Sequence, residues 1–197
     1  MSRLRGNVVI HECAVGDRWL TKALEVENLE KSSWPKIIGV EDSGHLVLAS
    51  PHPIIDDEWT LVGDGAATLI SQLMARAVLN SMDAASAFKP GWKRRISIHG
   101  TDRSRWTGEG PIADRIEEMI RKFFEERTIN LKRKGIEGEK GLFLLSGDID
   151  GIDVSFGIRN SGTEAKTSLS IRAKSEMTGL EEIATEITDL LRMNLVP

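Results

Sequence analysis

Apolar positions follow two rhythms along this chain, short runs between turn residues and longer stretches with helical spacing. Val8-Val9-Ile10 predicts a short buried strand. Val15-Gly16-Asp17-Arg18 then turns the chain into a helix, with Trp19, Leu20, Ala23, Leu24 and Leu29 on its apolar face. Lys31-Ser32-Ser33-Trp34-Pro35 ends it, because Pro35 cannot continue a helix. Lys36 to Val40 and Leu46 to Ala49 are β-rich runs either side of Glu41-Asp42-Ser43-Gly44-His45, and Pro51 and Pro53 open a polar loop. Asp64 has the chemistry of an N-cap for a helix from Gly65 to about Met82. Ala66, Leu69, Ile70, Leu73, Met74, Ala77 and Val78 form more than one stripe of that helix, which predicts burial on more than one side. Strands alternating with helices suggest an α/β layer.

The small residues, Pro90 and Gly91 between Ala84 and Trp92 mark a domain boundary, giving domains 1–86 and 92–197. Beyond it, Arg94 to His99 alternates as a strand, and Thr101 to Gly110 is a loop containing Arg and Gly. Pro111 suits the first turn of a helix running to about Asn130, with Ile112, Ile116, Met119, Ile120, Phe123 and Phe124 inward. Lys132 to Lys140 reads as a charged connection. Gly141 to Ile149, Ile152 to Ile158 and Thr167 to Ala173 read as strands. A last helix begins at Thr178, which with Glu181 makes a capping box, and turns Leu180, Ile183, Ile187, Leu190 and Leu191 inward. This β-α-β-β-β-α order predicts an α+β domain, a small antiparallel sheet backed by two helices.

Composition narrows the function classes. The formal charge of −4 argues against nucleic acid or an anionic membrane as main partner. The basic clusters Lys93-Arg94-Arg95 and Lys132-Arg133-Lys134 are short and read as solvated faces. Cys13 is the single cysteine, which excludes an intramolecular disulfide and suggests a reducing compartment. The amino-terminal apolar run is too short for a signal peptide, and no run is long enough for a membrane span. A soluble, cytoplasmic protein is the expectation.

Arg159-Asn160-Ser161-Gly162-Thr163-Glu164 carries the clearest chemistry. A tight Ser/Gly/Thr loop between two strands can gather backbone N–H groups and two hydroxyls into one concavity beside a guanidinium. That is a phosphate cradle; an ordinary hairpin turn with a surface Arg is the plainer alternative.

Three stretches in order resemble the α-D-phosphohexomutase family, which comprises phosphoglucomutases, phosphomannomutases and phosphoglucosamine mutases. Val15-Gly16-Asp17-Arg18-Trp19 is similar to the turn before a helix in the family's third domain. Gly39-Val40-Glu41-Asp42-Ser43-Gly44-His45 is similar to its G-G-E-x-S-G-H sugar loop, and Gly63-Asp64-Gly65 follows at family-like spacing. The Arg159 loop is similar to the R-P-S-G-T-E phosphate loop of the fourth domain. The resemblance implies that this chain is a truncated third domain followed by the whole fourth domain, well under half of a complete enzyme. It assigns Glu41, Ser43 and the neighbouring His45 to the sugar, and Arg159, Asn160, Ser161, Gly162 and Thr163 to the non-reacting phosphate. A buried structural role is the alternative for His45. Asp17 and Arg18 either approach the sugar or simply start a helix, and together with the Gly63-Asp64-Gly65 turn they look most like the phosphoglucosamine mutases.

The chain departs from the family at several places. Asn160 stands where the family has proline, Ala165 where proline usually follows the Glu, and Ser168 where a second Arg often lies. Lys166 and Arg172 are candidates to replace that charge. A serine loop of the T-x-S-H-N-P kind and a D-G-D-x-D-R metal loop are both missing from the sequence. The family's Mg2+ is therefore implied only for a complete enzyme, and no cofactor is expected on this chain. The expected ligand is a hexose phosphate or hexosamine phosphate. The expected protein partner is the upstream half of a phosphohexomutase or a second copy of this chain. The leading reading is the substrate-binding carboxy-terminal portion of such a mutase, inactive alone. The competing reading is a non-enzymatic phosphosugar-binding or regulatory module, and a remnant without ligand is a third.

Overall fold

The computed structural model describes residues 11–14, 16–26, 37–41, 45–52, 54–56, 58–78 and 91–197. The expected strand at 8–10, the break at 31–35, Ser43 with its two neighbours, Pro53, the helical tail at 79–82 and most of the boundary at 84–92 lie outside the described residues. The chain divides into two compact units, Met1–Lys89 and Pro90–Pro197. Its described elements are four α-helices and two antiparallel sheets, of three and five strands. Among the described residues no helix is long and apolar enough to cross a membrane.

The first unit runs α1 (Asp17–Val26), β1 (Ile38–Val40), β2 (Leu46–Pro51), β3 (Trp59–Gly63) and α2 (Gly65–Val78). The Gly16 carbonyl accepts the Trp19 N–H at 2.9 Å and opens α1. The three strands of this α/β unit form an antiparallel meander in sequence order. The reason is connection length: the 41–45 and 52–58 turns are far shorter than the dozen or so residues a parallel crossover needs. The sequence reading also passed over β3, which follows the proline-bearing loop. Gly39 lets α1 close on the sheet, since a Cβ there would stand 3.2 Å from both Leu20 Cβ and Val47 Cβ.

Asp64 caps α2 as expected, its Oδ1 accepting the Ala67 N–H at 2.9 Å. Among its described side chains, however, the helix is not buried on several sides. Thr68 is the buried one among its described side chains, and the Thr68 hydroxyl accepts the Leu46 N–H at 3.3 Å while donating to the Asp64 carbonyl at 2.9 Å. With that polar residue on the sheet, Leu69, Ile70, Leu73 and Met74 remain exposed, at 56% to 64%.

The second unit runs β4 (Trp92–His99), a 3-10 turn (Arg103–Arg105), α3 (Pro111–Phe123), β5 (Ile129–Arg133), β6 (Phe143–Ile149), β7 (Ile152–Asn160), β8 (Lys166–Ala173) and α4 (Leu180–Leu195). Its sheet is ordered β4-β8-β7-β6-β5 and is antiparallel throughout. Strand alternation sends Val154, Phe156 and Ile158 into the core with Leu169, Ile171, Phe143 and Leu145. Ile116, Ile120 and Phe124 from the α3 end and Leu180, Ile183, Ile187 and Leu191 from α4 close that core. Ser155, Gly157 and Arg159 alternate to the opposite face.

Two expectations in this unit change. The α3 helix stops at Phe123 rather than near Asn130, and the next residues supply a fifth strand, β5. Gly147 makes room for it: a Cβ there would stand 1.9 Å from the Asn130 carbonyl oxygen, so no side chain fits where β5 passes β6. The capping box at Thr178 does not form either. Gly179 is the N-cap of α4, at φ 97°, and no side chain caps it. A Cβ at Gly179 would lie 2.7 Å from the Phe123 ring, so close aromatic packing fixes the entry to α4. Glu181 instead faces Arg94, with Oε2 3.4 Å from Nε.

Glu117 on α3 ties the helix to β5. Its carboxylate accepts from Arg121 Nη2 at 2.7 Å and from Arg133 Nε at 2.5 Å, while Arg133 also reaches Asp114 at 2.7 Å. Burial pushes the Glu117 pKa up, but hydrogen bonds and charge from Arg121 and Arg133 outweigh it and hold the carboxyl below its ordinary value. A depressed folded pKa gives stability that is complete above the unfolded value of about 4.3 and lost as pH falls through the folded value. Glu117→Gln should cost about 1 kcal/mol near neutral pH, given the part-exposed arginines. It should also flatten the fall of melting temperature in acid. Parallel acid melts of wild type and variant would show this network to be idle.

Candidate functional site

In the first unit Glu41 and His45 bracket the five-residue turn between β1 and β2, and the Glu41 N–H donates to the His45 carbonyl at 2.9 Å. Strand parity brings both side chains to the face that α1 covers, where the first residue of α1, Asp17, joins them. One ligand atom from each of Asp17, Glu41 and His45 lies within 4.8 Å of the other two. His45 Nε2 stands 3.8 Å from Asp17 Oδ2. Gly63 makes room below, since a Cβ there would come within 2.9 Å of Asp17 Oδ2 and 3.4 Å of His45 Nε2. Cys13 borders the cluster; burial first, and the Glu41 charge second, push its thiol pKa up. It is thus a poor nucleophile.

Chemically this cluster offers two carboxylates and an imidazole. Paired carboxylates can accept hydroxyl hydrogens from a sugar ring, and the imidazole can donate or accept. A magnesium ion prefers a near-octahedral oxygen shell, which a set containing an imidazole fits poorly. Ser43 lies outside the described residues.

In the second unit three connections gather at one end of the sheet: 100–110 after β4, 134–142 between β5 and β6, and 161–165 between β7 and β8. Asn160 joins two of them. Its amide nitrogen donates to the Arg103 carbonyl at 2.9 Å and the Trp106 carbonyl at 3.2 Å. Its amide oxygen accepts from the Thr167 hydroxyl at 2.8 Å, and Thr167 meets Thr101 at 3.0 Å. Both ends of the Asn160 carboxamide are thereby engaged within the protein.

Arg103 then holds the loop. Its Nη1 donates to the Ser161 carbonyl at 3.1 Å and the Gly162 carbonyl at 3.0 Å. Asp102 sets the 3-10 turn that carries Arg103, with Oδ1 accepting from the Ser104 hydroxyl at 2.6 Å and the Ser104 N–H at 3.0 Å. Those two bonds, with the Arg105 charge behind them, hold the Asp102 carboxyl below its usual range. Ser161 Oγ accepts the Glu164 N–H at 3.2 Å and, more weakly, the Thr163 N–H at 3.4 Å. Nothing lies within 4 Å of a Cβ placed on Gly162, so the loop's crest is open. Thr163 is exposed on it.

Arg159 precedes the loop on the sheet face away from the helices, and its Nη1 donates to Glu139 Oε1 at 3.2 Å. Lys166 follows the loop, paired with Glu164, and that hydrogen bond lowers the Glu164 pKa. Arg172 lies six positions further along β8, at its far end. Lys166, not Arg172, thus supplies a second cation beside the loop. Sequence reasoning missed Arg103 and Glu139. Arg103 could have been suspected from its place shortly after β4, in a loop with six further polar residues; nothing in the sequence pairs Glu139 with Arg159.

Asn160→Ala should remove the carboxamide's three contacts, cost about 1–3 kcal/mol and lower the melting temperature by several degrees. Thermal melting of the variant checks this, and an unchanged midpoint would remove Asn160 as the tie between the connections. No protein-family model matches this chain, and no curated protein matches it.

Proposed function

We propose that this chain binds a hexose phosphate or hexosamine phosphate, as the substrate-binding carboxy-terminal portion of an α-D-phosphohexomutase. One observation carries the reading: an open Ser-Gly-Thr loop at one end of the second sheet is held by Arg103 and flanked in the chain by Arg159 at the end of β7 and Lys166 at the start of β8. Guanidinium and ammonium groups beside hydroxyls suit a phosphate monoester, and Arg adds a planar fork of donors. The Asp17–Glu41–His45 cluster supports a polyhydroxylated ligand, since carboxylates accept hydroxyl hydrogens. The resemblance assigns Glu41, Ser43 and His45 to the sugar and Arg159, Ser161, Gly162 and Thr163 to the phosphate. Asn160 would act through the shape of the loop.

Phosphoryl transfer between the two ends of the sugar needs a nucleophile that carries the group and a charge clamp on the transferring phosphoryl. Neither the serine loop nor the metal loop of the family occurs in these 197 residues. The chain alone should therefore bind without turnover. Activity of the pure chain on glucose 1-phosphate or glucosamine 6-phosphate, with Mg2+ and a sugar bisphosphate supplied, would overturn this.

Binding should depend on Arg159. Arg159→Ala should weaken glucose 6-phosphate about ten- to a hundredfold, the scale of a charge-assisted hydrogen bond. Arg115→Ala, on the exposed side of α3, should leave the affinity unchanged. Equal losses in calorimetry would reduce the site to diffuse charge attraction.

The exposed Leu69, Ile70, Leu73 and Met74 support a further part of the reading, that an upstream half of the mutase covers α2. Sedimentation at low micromolar concentration should then show self-association or capture of an added upstream half. A clean monomer that binds no hydrophobic dye would count against a missing partner.

A further inference from the structure

Arg159 already holds an anion of the protein's own. The connection from β5 to β6 is shaped to deliver one: the Glu139 N–H closes a turn on the Ile136 carbonyl at 3.1 Å, with Gly138 at φ 87°. That φ is the left-handed value a tight turn demands of glycine. Two residues on, the Gly141 carbonyl accepts from Trp106 Nε1 at 2.8 Å, and Trp106 is buried against Phe143. The connection is thus pinned, and its carboxylate comes down 3.2 Å from Arg159 Nη1. The acid is the better covered partner, 15% exposed against 36% for the arginine. Carboxylate and phosphate use the same guanidinium donors.

We propose that Glu139 is a built-in placeholder for the ligand's phosphate. It keeps Arg159 neutralised in the empty protein and is displaced when a phosphate monoester docks. This rests on the phosphate-cradle reading and adds what sets its selectivity. A monoanionic ligand offers Arg159 no more charge than Glu139 already does, so it gains little by exchange. A dianionic phosphate monoester offers twice the charge. The site should therefore prefer sugar phosphates over sugar carboxylates of the same size, and the preference should reside in Glu139.

Calorimetry of the full chain with glucose 6-phosphate and with gluconate tests this on wild type, Glu139→Gln, Arg159→Ala and the double variant. Glu139→Gln should tighten glucose 6-phosphate by about fivefold or more, the loss of one part-exposed competing charge pair. It should also make gluconate binding measurable, and both gains should vanish in the double variant. If wild type binds through Arg159 but Glu139→Gln binds no tighter, the placeholder is wrong and the cradle stands. If none of the four proteins binds glucose 6-phosphate, the cradle falls and the placeholder with it. Should Glu139→Gln fail to fold, the Glu139 side-chain carboxyl carbon can be followed by NMR in wild type. Its resonance should move with the same dissociation constant as ligand binding, and a resonance that stays fixed through saturation overturns the proposal.

Discussion

The loop end of the second unit's sheet depends on the Asn160 carboxamide. Two carbonyls of the preceding connection take its hydrogens and a β8 hydroxyl gives it one, so β7, β8 and the 3-10 turn meet at a single side chain. Each of those partners sits at an element's end, where backbone carbonyls otherwise lack ladder partners. With the turn fixed, Arg103 is in place to draw in the Ser161 and Gly162 carbonyls. The resulting order runs inward to outward: buried Thr101 and Thr167, then Asn160, then Arg103, then the open loop crest. A proline at 160 would preset the backbone instead. Here a side chain does that work, through bonds a proline cannot make.

Among the described residues the two units differ in how much they bury. In the second, both helices and all five strands contribute to one core. In the first, the buried apolar side chains among the described residues are Ala14 and Val47. Short strands in a three-stranded sheet carry little cohesion of their own. At the polar cluster of Asp17, Glu41 and His45, Gly39 and Gly63 let the surrounding elements approach closely.

Charge at the loop is balanced locally. Arg159 meets Glu139, Lys166 meets Glu164, and Arg103 is directed at carbonyls. Basic residues also mark β4, an edge strand, at Lys93, Arg94 and Arg95. On an exposed edge such residues oppose strand-to-strand aggregation, a sufficient reason for a basic run in an acidic chain.

Periodicity alone located much of the framework. Strong helical spacing with Pro111 at its start revealed α3, alternation revealed β4, β7 and β8, and Asp64 marked the start of α2. The Arg159 loop was legible because turn residues between two alternating runs admit few readings. Tertiary structure decided the rest. Ile129 to Arg133 could continue a helix by pattern, and became β5 because Gly147 leaves space beside β6. Thr178 and Glu181 spell a capping box, yet Phe123 packing on Gly179 displaced it. The α2 stripes imply burial, but which side a helix turns to its sheet depends on the hydrogen bond at Thr68. Arg103 and Glu139 lie 56 and 20 residues before Arg159 in the chain, and only the folded sheet brings their connections to one end. Local sequence encodes local shape, whereas the partners of a charge are chosen by chain closure over long separations.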